Sequence, residues 1–540
     1  MRAVTAGSAQ ILKQVEALLR AGNLPEALRL SRDAVDRGAM HPNLLTLAAF
    51  KELESGTPER ALERASRALA LSPRSAESLH AKAIALARLG RHGEAVALYD
   101  EVLRLAPKLA AARYNKASSL GEIHEWALAQ REFERVLELE PAHAGALANL
   151  AALAAARGEA AKARDLAGRA LGANPGEIAA DLALAQLDLE AREFELVRRR
   201  VAKLLLVPTL TPVNRAIAHG LLADALDGLG LAEEAFKEYA RANQILHAHY
   251  RPVFDAPGRE RAIVRARRLA AHVKARQMRR GEAAQVPAAG HLFLIGFPRS
   301  GTTLLEQILA SHPDIEALEE RDCLAAAIED FVLPADGLAR LDATPDEDLR
   351  RYRDAYWAEA RKAGAKLDRK VFVDKLPLNA LNLAVIARLF PSARILLALR
   401  DPRDVVLSCF RRRFEMSPNM YELLTLEDTA AFYSQVMDIC LSGEETLPLS
   451  FFRLRYEDLV ADLEGRARAV AAFLGLAFDP RMLDFAETAR RRGIMTPSAA
   501  QVARGLYRSG MGQWRAYRAA LGPAMPILEP WIARLGYEKD

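Results

Sequence analysis

The chain is poor in cysteine and aromatic residues, and neither sign of charge dominates it. Only 3 of its 540 residues are cysteines, Cys323, Cys409 and Cys440, and they form no C-x-x-C pair. An odd number of scattered cysteines excludes a disulfide scaffold and a cysteine zinc site, and it fits a reducing compartment. The 75 basic and 70 acidic residues leave a net charge of +5, which suits a small anionic ligand and does not require nucleic acid as a partner.

Long hydrophobic runs are also lacking. No apolar stretch reaches the roughly 18 residues that a membrane helix needs, and the amphipathic segment 1–23 has no apolar signal-peptide core. We therefore expect no membrane span and a cytoplasmic location. The composition, 51% hydrophobic and 27% charged, is that of a folded chain, and 540 residues exceed what a single core usually supports. Two or more domains are predicted.

A period of 34 residues runs through the first part of the chain. Four sets of positions follow it: Pro73, Pro107, Pro141 and Pro175; Ala49, Ala83, Ala117 and Ala151; Ala61, Ala95, Ala129 and Ala163; and Gly22, Gly56, Gly90 and Gly158, with His124 in the missing place. Small residues suit the close approach of two helices, glycine ends the first helix, and proline ends the second. The period and this order resemble the tetratricopeptide repeat, a family of stacked helical hairpins.

The repeat pattern predicts a helical solenoid over residues 8–250, in which 208–250 form an irregular capping repeat. A basic helical linker is predicted over 251–290, since the breaker-rich stretch 286–290 reads as a domain boundary. Beyond it, four short apolar segments alternate with helical stretches, which predicts an α/β domain with a parallel sheet over 291–540. The predicted strands are 291–296, 370–374, 394–399 and 449–456.

The most specific local motif lies at residues 293–303, where a strand leads through a glycine-bounded turn into a helix. Backbone N–H groups and a helix N-terminus converge on an anion in such a turn. Gly296 and Gly301 have the spacing of a Walker A loop, yet Thr302 stands where that loop carries its lysine. Arg299 supplies the cation instead, and an arginine can hold an oxyanion through two N–H groups.

At this loop the sequence resembles the sulfotransferase family, most closely its tyrosylprotein sulfotransferase branch and bacterial sulfotransferases with tetratricopeptide repeats. The resemblance spans about residues 290–520. It implies that the 5′-phosphosulfate of the donor 3′-phosphoadenosine 5′-phosphosulfate (PAPS) binds at Pro298, Arg299, Ser300, Gly301, Thr302 and Thr303.

A second motif, Arg400-Asp-Pro-Arg-Asp-Val-Val-Leu-Ser408, comes directly after a predicted strand. Pro402 suits the first turn of a helix, so Ser408 lies about two turns further along and can face the strand-end arginine. Two phosphate sites at successive strand ends make a bisphosphate nucleotide the natural ligand. The family resemblance implies that Arg400 and Ser408 bind the 3′-phosphate of the donor.

The resemblance also assigns the catalytic groups. The glutamate eight residues after His312 is the catalytic base in the similar family stretch, and that position is Glu320. Glu319 stays open as its rival. Lys375 occupies the place where cytosolic sulfotransferases carry a catalytic histidine, which supports a carboxylate base and gives Lys375 the role of stabilising charge on the bridging oxygen.

Three positions match the family more loosely. Ser498 corresponds to a serine at the sulfate bridge, Tyr456 to a tyrosine near the adenine, and Arg508 to a residue at the 3′-phosphate. A plain turn at Ser498 and a core aromatic at Tyr456 remain open as structural explanations.

The sequence thus predicts a tetratricopeptide-repeat solenoid followed by a P-loop-like α/β sulfotransferase domain. The expected reaction moves a sulfuryl group from PAPS to an acceptor hydroxyl, without a metal. The resemblance suggests a peptide or protein tyrosine as the acceptor, held by the repeats. Two alternatives stay open: a P-loop kinase, in which Asp374 ends a Walker B strand, and a repeat scaffold with an inactive transferase domain.

Overall fold

The computed structural model describes residues 2–275, 290–492 and 510–539. By its internal contacts the chain divides into two compact units, Met1–Leu196 and Val197–Asp540. No helix within the described stretches is long and apolar enough to cross a membrane.

The first unit is built from antiparallel helical hairpins. Its helices, with the one that extends past residue 196, are α1 Arg2–Arg20, α2 Leu24–Asp36, α3 Pro42–Glu54, α4 Pro58–Leu71, α5 Ala76–Arg88, α6 His92–Leu105, α7 Ala110–Glu122, α8 Trp126–Leu139, α9 Ala144–Ala156, α10 Ala160–Ala173, α11 Ile178–Glu190 and α12 Phe194–Leu204.

The repeat registers have the structural roles that the sequence predicts. The alanines in phase with Ala83 and with Ala95 are buried, and Tyr99 and Phe133 fill the space beside the second helices. Gly90 adopts a left-handed φ of 76° at the end of its helix, and His124, which replaces glycine in this frame, also has a left-handed φ, of 61°. The turn between the two helices therefore requires this backbone conformation even without glycine. The predicted helical solenoid is confirmed.

The second unit combines helices with one parallel sheet. Its elements after α12 are α13 Pro212–Gly228, α14 Ala232–Phe254, α15 Ala262–Ala275, β1 Gly290–Gly296, α16 Thr302–Ala310, β2 Ile315–Glu319, α17 Ala325–Phe331, α18 Gly337–Ala343, α19 Arg350–Lys362, β3 Val371–Lys375, α20 Leu383–Leu389, β4 Arg394–Leu399, α21 Pro402–Phe410, α22 Pro418–Tyr421, α23 Leu426–Thr446, β5 Ser450–Arg455, α24 Tyr456–Ala461, α25 Leu463–Phe473, α26 Phe485–Arg492 and α27 Met525–Arg534, with 3₁₀ helices at Pro377–Asn382, Pro480–Asp484 and Gln513–Tyr517.

The five strands lie in the order β2-β3-β1-β4-β5, and every neighbouring pair is parallel. Alternate strand residues enter two cores: Phe293 and Phe372 pack on one face, whereas Leu294 and Val373 pack on the other. A parallel sheet buried on both faces confirms the predicted α/β fold. Strand β2 is absent from the sequence prediction, which places its strands elsewhere.

Helices α13, α14 and α15 contribute to the core on one face of this sheet. Leu226, Tyr239 and Leu269 are buried in the same cluster as Phe293. The sequence assigned these helices to the capping repeat and to the linker. The bounds 8–250, 251–290 and 291–540 stay a prediction about which parts of the chain fold independently.

Candidate active site

Those predicted chemical residues that the structure describes gather at one edge of the sheet. Because all five strands are parallel, their carboxyl ends share this edge, where open α/β sheets bind ligands. In strand order, the edge carries Glu320 after β2, Lys375 at the end of β3, the loop 297–301 after β1, Arg400 after β4 and Tyr456 after β5. One row thus contains the loop after β1, the first residue of the Arg400 motif and the candidate catalytic residues Glu320 and Lys375.

The loop after β1 is shaped by close contacts at its two glycines. A Cβ on Gly296 would lie 2.7 Å from the carbonyl oxygen of Ala398, and one on Gly301 would lie 2.7 Å from Cδ2 of Tyr456. Gly301 also has a left-handed φ of 95° at the N-cap of α16. Ser300 and Thr302 are buried at the start of this helix. The first N–H groups of α16 therefore face the edge with no side chain at Gly301 to cover them, which suits an anion.

Arg299 joins the two motifs, since it contacts Ser408, which lies 109 residues further along the chain. Its Nε donates a hydrogen bond of 3.0 Å to Oγ of Ser408 on α21. Burial, and after it the charge of Arg412, lower the pKa of the Arg299 guanidinium to about 10. Several cations therefore crowd one small volume, which favours a polyanionic ligand there.

Arg400 lies across the same site. Its Nη1 donates 3.1 Å to the carbonyl oxygen of Arg299, its Nη2 donates to the carbonyl oxygen of Gly510, and its guanidinium lies 5.1 Å from the ring centroid of Tyr456. The Nε of Arg400 is buried, and no acceptor among the described residues reaches it. A buried N–H donor without an acceptor is costly, so a ligand oxygen is the expected partner.

A buried group of charges lies on the other side of the loop. Nζ of Lys375 is 2.8 Å from Oε1 of Glu320 and 3.1 Å from Oε2 of Glu306, and the Lys375 side chain is fully buried. Burial by itself lowers the pKa of Lys375, but Glu306 and Glu320 outweigh it and hold the pKa above its usual value. Two carboxylates therefore stabilise the buried ammonium of Lys375 at the sheet edge.

Glu306 was missed in the sequence reasoning. It is fully buried on α16 and also lies 3.2 Å from Nη1 of Arg492. The signal in the sequence is an acidic residue inside the apolar stretch Leu304–Leu309, because carboxylates are almost never fully buried unless they are paired.

Glu319, the rival base, lies in register with Lys375 across β2 and β3. Burial, and after it the charge of Glu306, raise the pKa of the Glu319 carboxyl. Glu320 follows it with a side chain that is 41% exposed. Both carboxylates thus stay near Lys375, and the choice of Glu320 as the base stays a prediction.

Two predicted residues, Ser498 and Arg508, lie outside the described residues. The chain that follows them is held at the start of α21, where Asp404 accepts hydrogen bonds from the backbone N–H groups of Gly512 and Trp514 at 2.6 Å and 2.9 Å.

Asp374, which would bind Mg²⁺ in the kinase alternative, makes a hydrogen bond away from the candidate site. It is buried on the face of the sheet opposite Lys375 and accepts a hydrogen bond of 2.8 Å from the Tyr356 hydroxyl. Burial raises the pKa of the Asp374 carboxyl to about 7. A carboxylate held in this way is a poor Mg²⁺ ligand. Within the described stretches, no three His, Cys, Asp or Glu side chains form a group that could hold a metal ion.

Comparison with known proteins finds two families in this chain. Residues 291–480 match the model of the sulfotransferase family, and residues 51–110 and 114–178 match that of the tetratricopeptide repeat. Residues 291–480 therefore carry a sulfotransferase-family domain. The match covers every site residue described above from Arg299 to Tyr456.

Relatives of the sulfotransferase domain include protein-tyrosine sulfotransferase 2 of Gallus gallus, 27% identical over 46% of this chain and 69% of the relative. Nodulation protein NoeE of Sinorhizobium fredii is 31% identical over 36% of this chain and 51% of that protein. An uncharacterized protein of Aquifex aeolicus is 25% identical over 70% of this chain. The chain spans about half (49%) of the length of that relative. Among solved structures, the sulfotransferase domain of the Synechococcus PCC 7002 olefin synthase aligns over its full length (100%) with 49% of this chain. The identity is 21% and the TM-score is 0.35.

Proposed function

We propose that the chain transfers a sulfuryl group from PAPS to an acceptor hydroxyl. The observation that carries this proposal is the junction of Arg299, Ser408 and Arg400, which brings two anion-binding motifs into one site and leaves the buried Nε of Arg400 without an acceptor among the described residues. A nucleotide with phosphates at two positions matches such a pair of motifs.

The proposed roles are those that the family resemblance implies, and the sheet edge carries the described residues of the two phosphate motifs. Arg299 and the backbone of 300–303 hold the 5′-phosphosulfate, with Pro298 at the start of the turn. Arg400 and Ser408 hold the 3′-phosphate, Arg412 adds charge beside Arg299, and Tyr456 lies beside the adenine. Arg508 is proposed as a further ligand of the 3′-phosphate.

The chemical step needs a base and charge stabilisation. Glu320 takes the proton of the acceptor hydroxyl while the acceptor oxygen bonds to sulfur and the bond from sulfur to the bridging oxygen breaks. Lys375, with Ser498, stabilises the charge that develops on this oxygen, and adenosine 3′,5′-bisphosphate leaves. The preformed ion pairs of Lys375 mean that the ammonium needs little reorganisation.

We propose a tyrosine in a peptide or protein as the acceptor. The support is the likeness to the protein-tyrosine sulfotransferases of Gallus gallus and Danio rerio, together with a repeat domain of the kind that binds extended or helical segments.

The nucleotide is tested by thermal shift. We expect adenosine 3′,5′-bisphosphate without magnesium to raise the melting temperature well above the effect of Mg-ATP, because a ligand at 100 times its Kd adds about 2.7 kcal/mol to the free energy of unfolding. Equal or larger stabilisation by Mg-ATP would favour the kinase instead.

The Arg400→Ala variant tests the 3′-phosphate site. Loss of a charge-assisted contact should cost about 1.5–3 kcal/mol of binding free energy, which is roughly a 10- to 150-fold rise in the Kd of adenosine 3′,5′-bisphosphate measured by calorimetry. The control is Arg453→Ala on β5, whose guanidinium pairs with Glu444 at the surface. An unchanged Kd in Arg400→Ala would remove Arg400 from the site.

A further inference from the structure

Three consecutive arginines, Arg411, Arg412 and Arg413, follow α21 directly, and two of them are held by α13. Arg411 pairs with Asp227, and its guanidinium lies 5.2 Å from each of the ring centroids of Tyr239 and Tyr517. Nη2 of Arg413 donates 3.1 Å to Oδ2 of Asp224. The first and the third arginine of the run are therefore neutralised by carboxylates one turn apart on a single helix.

The helical pair α13–α14 is shaped around this segment. A Cβ on Gly220 would lie 2.0 Å from Nη1 of Arg413, so glycine at this position leaves space for the guanidinium. From α14, Nδ2 of Asn243 donates 2.8 Å to the carbonyl oxygen of Phe410, and Phe236 stacks on Phe410 with 5.4 Å between ring centroids. The pair thus holds the last residue of α21 as well as the arginines on both sides of Arg412.

The middle arginine, Arg412, lies near Arg299, because its charge helps to lower the pKa of the Arg299 guanidinium. The backbone N–H of Arg412 donates 3.1 Å to the carbonyl oxygen of Cys409, so the chain keeps turning after α21 ends. Arg412 follows Ser408 by four residues, and Ser408 accepts a hydrogen bond from the same Arg299 on which the charge of Arg412 acts.

We propose that Asp224 and Asp227 are positioning residues for phosphate binding: they hold Arg411 and Arg413 on α13 and so direct Arg412 toward Arg299 and Ser408. This inference rests on the proposed function. It implies that α13 and α14, whose sequence resembles a last repeat, support the nucleotide site by positioning one of its arginines. Without the two carboxylates, three like charges would repel one another beside Arg299 and Arg400, and Arg411 and Arg413 would lose the ion pairs that hold them on α13.

A double-mutant cycle on the full chain tests the proposal. The Kd of adenosine 3′,5′-bisphosphate is measured for the parent, Arg412→Ala, Asp227→Asn and the double variant. We expect Arg412→Ala to raise the Kd about 10- to 100-fold and Asp227→Asn about 10-fold. The double variant should bind no more weakly than Arg412→Ala alone, because Asp227 acts through Arg412. Glu234→Gln, an exposed carboxylate on α14, is the matched control and should leave the Kd unchanged.

Additive losses in the double variant, or an unchanged Kd in Asp227→Asn, would overturn the inference, since a merely structural role weakens binding whether or not Arg412 is present. The melting temperatures of the nucleotide-free proteins show whether each variant folds, and Asp224→Asn replaces Asp227→Asn in the cycle if the latter does not. A parent chain that binds no adenosine 3′,5′-bisphosphate would contradict the proposed function itself, so the two failures are distinguishable.

Discussion

Glu320→Gln is expected to lower kcat by about 10²–10⁴-fold while nucleotide affinity stays nearly intact. Glutamine keeps the shape and the hydrogen bonding of the side chain but accepts no proton from the acceptor. The fold should tolerate the change because Lys375 keeps Glu306 as its counter-ion at 3.1 Å. The measurement is a sulfuryl-transfer assay with tyrosine-containing acidic peptides, beside a titration with adenosine 3′,5′-bisphosphate.

Glu319→Gln is the matched control, since Glu319 is the preceding residue and lies near the same lysine. We expect a much smaller loss of kcat in this variant. A larger loss there, or near-normal turnover in Glu320→Gln, would transfer the role of base to Glu319, whose carboxyl has a pKa raised by burial. No turnover in the parent with any acceptor would favour a repeat scaffold with an inactive domain.

Lys375→Met is expected to lower the free energy of unfolding by about 3–5 kcal/mol, the usual cost of leaving a buried charge without its partner. Glu306 has no exposed surface, so its carboxylate cannot turn to water when the ammonium is removed. Arg492 lies 3.2 Å from the other carboxylate oxygen and offsets part of this cost. Chemical denaturation monitored by circular dichroism measures the change.

The double variant Lys375→Met/Glu306→Gln separates the ion pair from simple packing. Neutralising Glu306 should restore much of the lost stability, whereas kcat should stay low because the ammonium is still missing. Lys362→Met is the surface control: Lys362 pairs with Glu359 at 3.2 Å but is 76% exposed, and we expect a change of about 0–1 kcal/mol there. A Lys375→Met variant as stable as this control would contradict the buried-pair interpretation.

The two motifs that we propose to bind phosphate could be found in the sequence because each is a continuous piece of chain. A strand, a turn and a helix N-terminus follow one another at Arg299, and again at Arg400 and Ser408, so residue types and spacing already describe the local geometry. Glu306 and Arg412 were not found. The burial of Glu306 depends on Lys375, which comes much later in the chain. Arg412 can be told from Arg411 and Arg413 only because those two form ion pairs with Asp227 and Asp224.

Strand β2 likewise could not be predicted from local sequence. Its five residues, Ile315–Glu319, include two glutamates and give no apolar run long enough to indicate a strand. It forms because β3 offers an edge with matching register, from Ile315 opposite Val371 to Glu319 opposite Lys375. This pairing brings Glu320 to Lys375, and a loop at the same place would not.

The sequence by itself determined the helical hairpins, the helix ends at Gly90 and His124, and the presence of the two motifs that we propose to bind phosphate. These features depend on contacts between residues close in the chain, which a period or a motif records directly. Only the tertiary structure decided the strand order β2-β3-β1-β4-β5, the pairing of Lys375 with Glu306, and the ion pair between Asp227 on α13 and Arg411. Those contacts join distant segments through the packing of the two cores, and local patterning carries no record of which distant residue will be the partner.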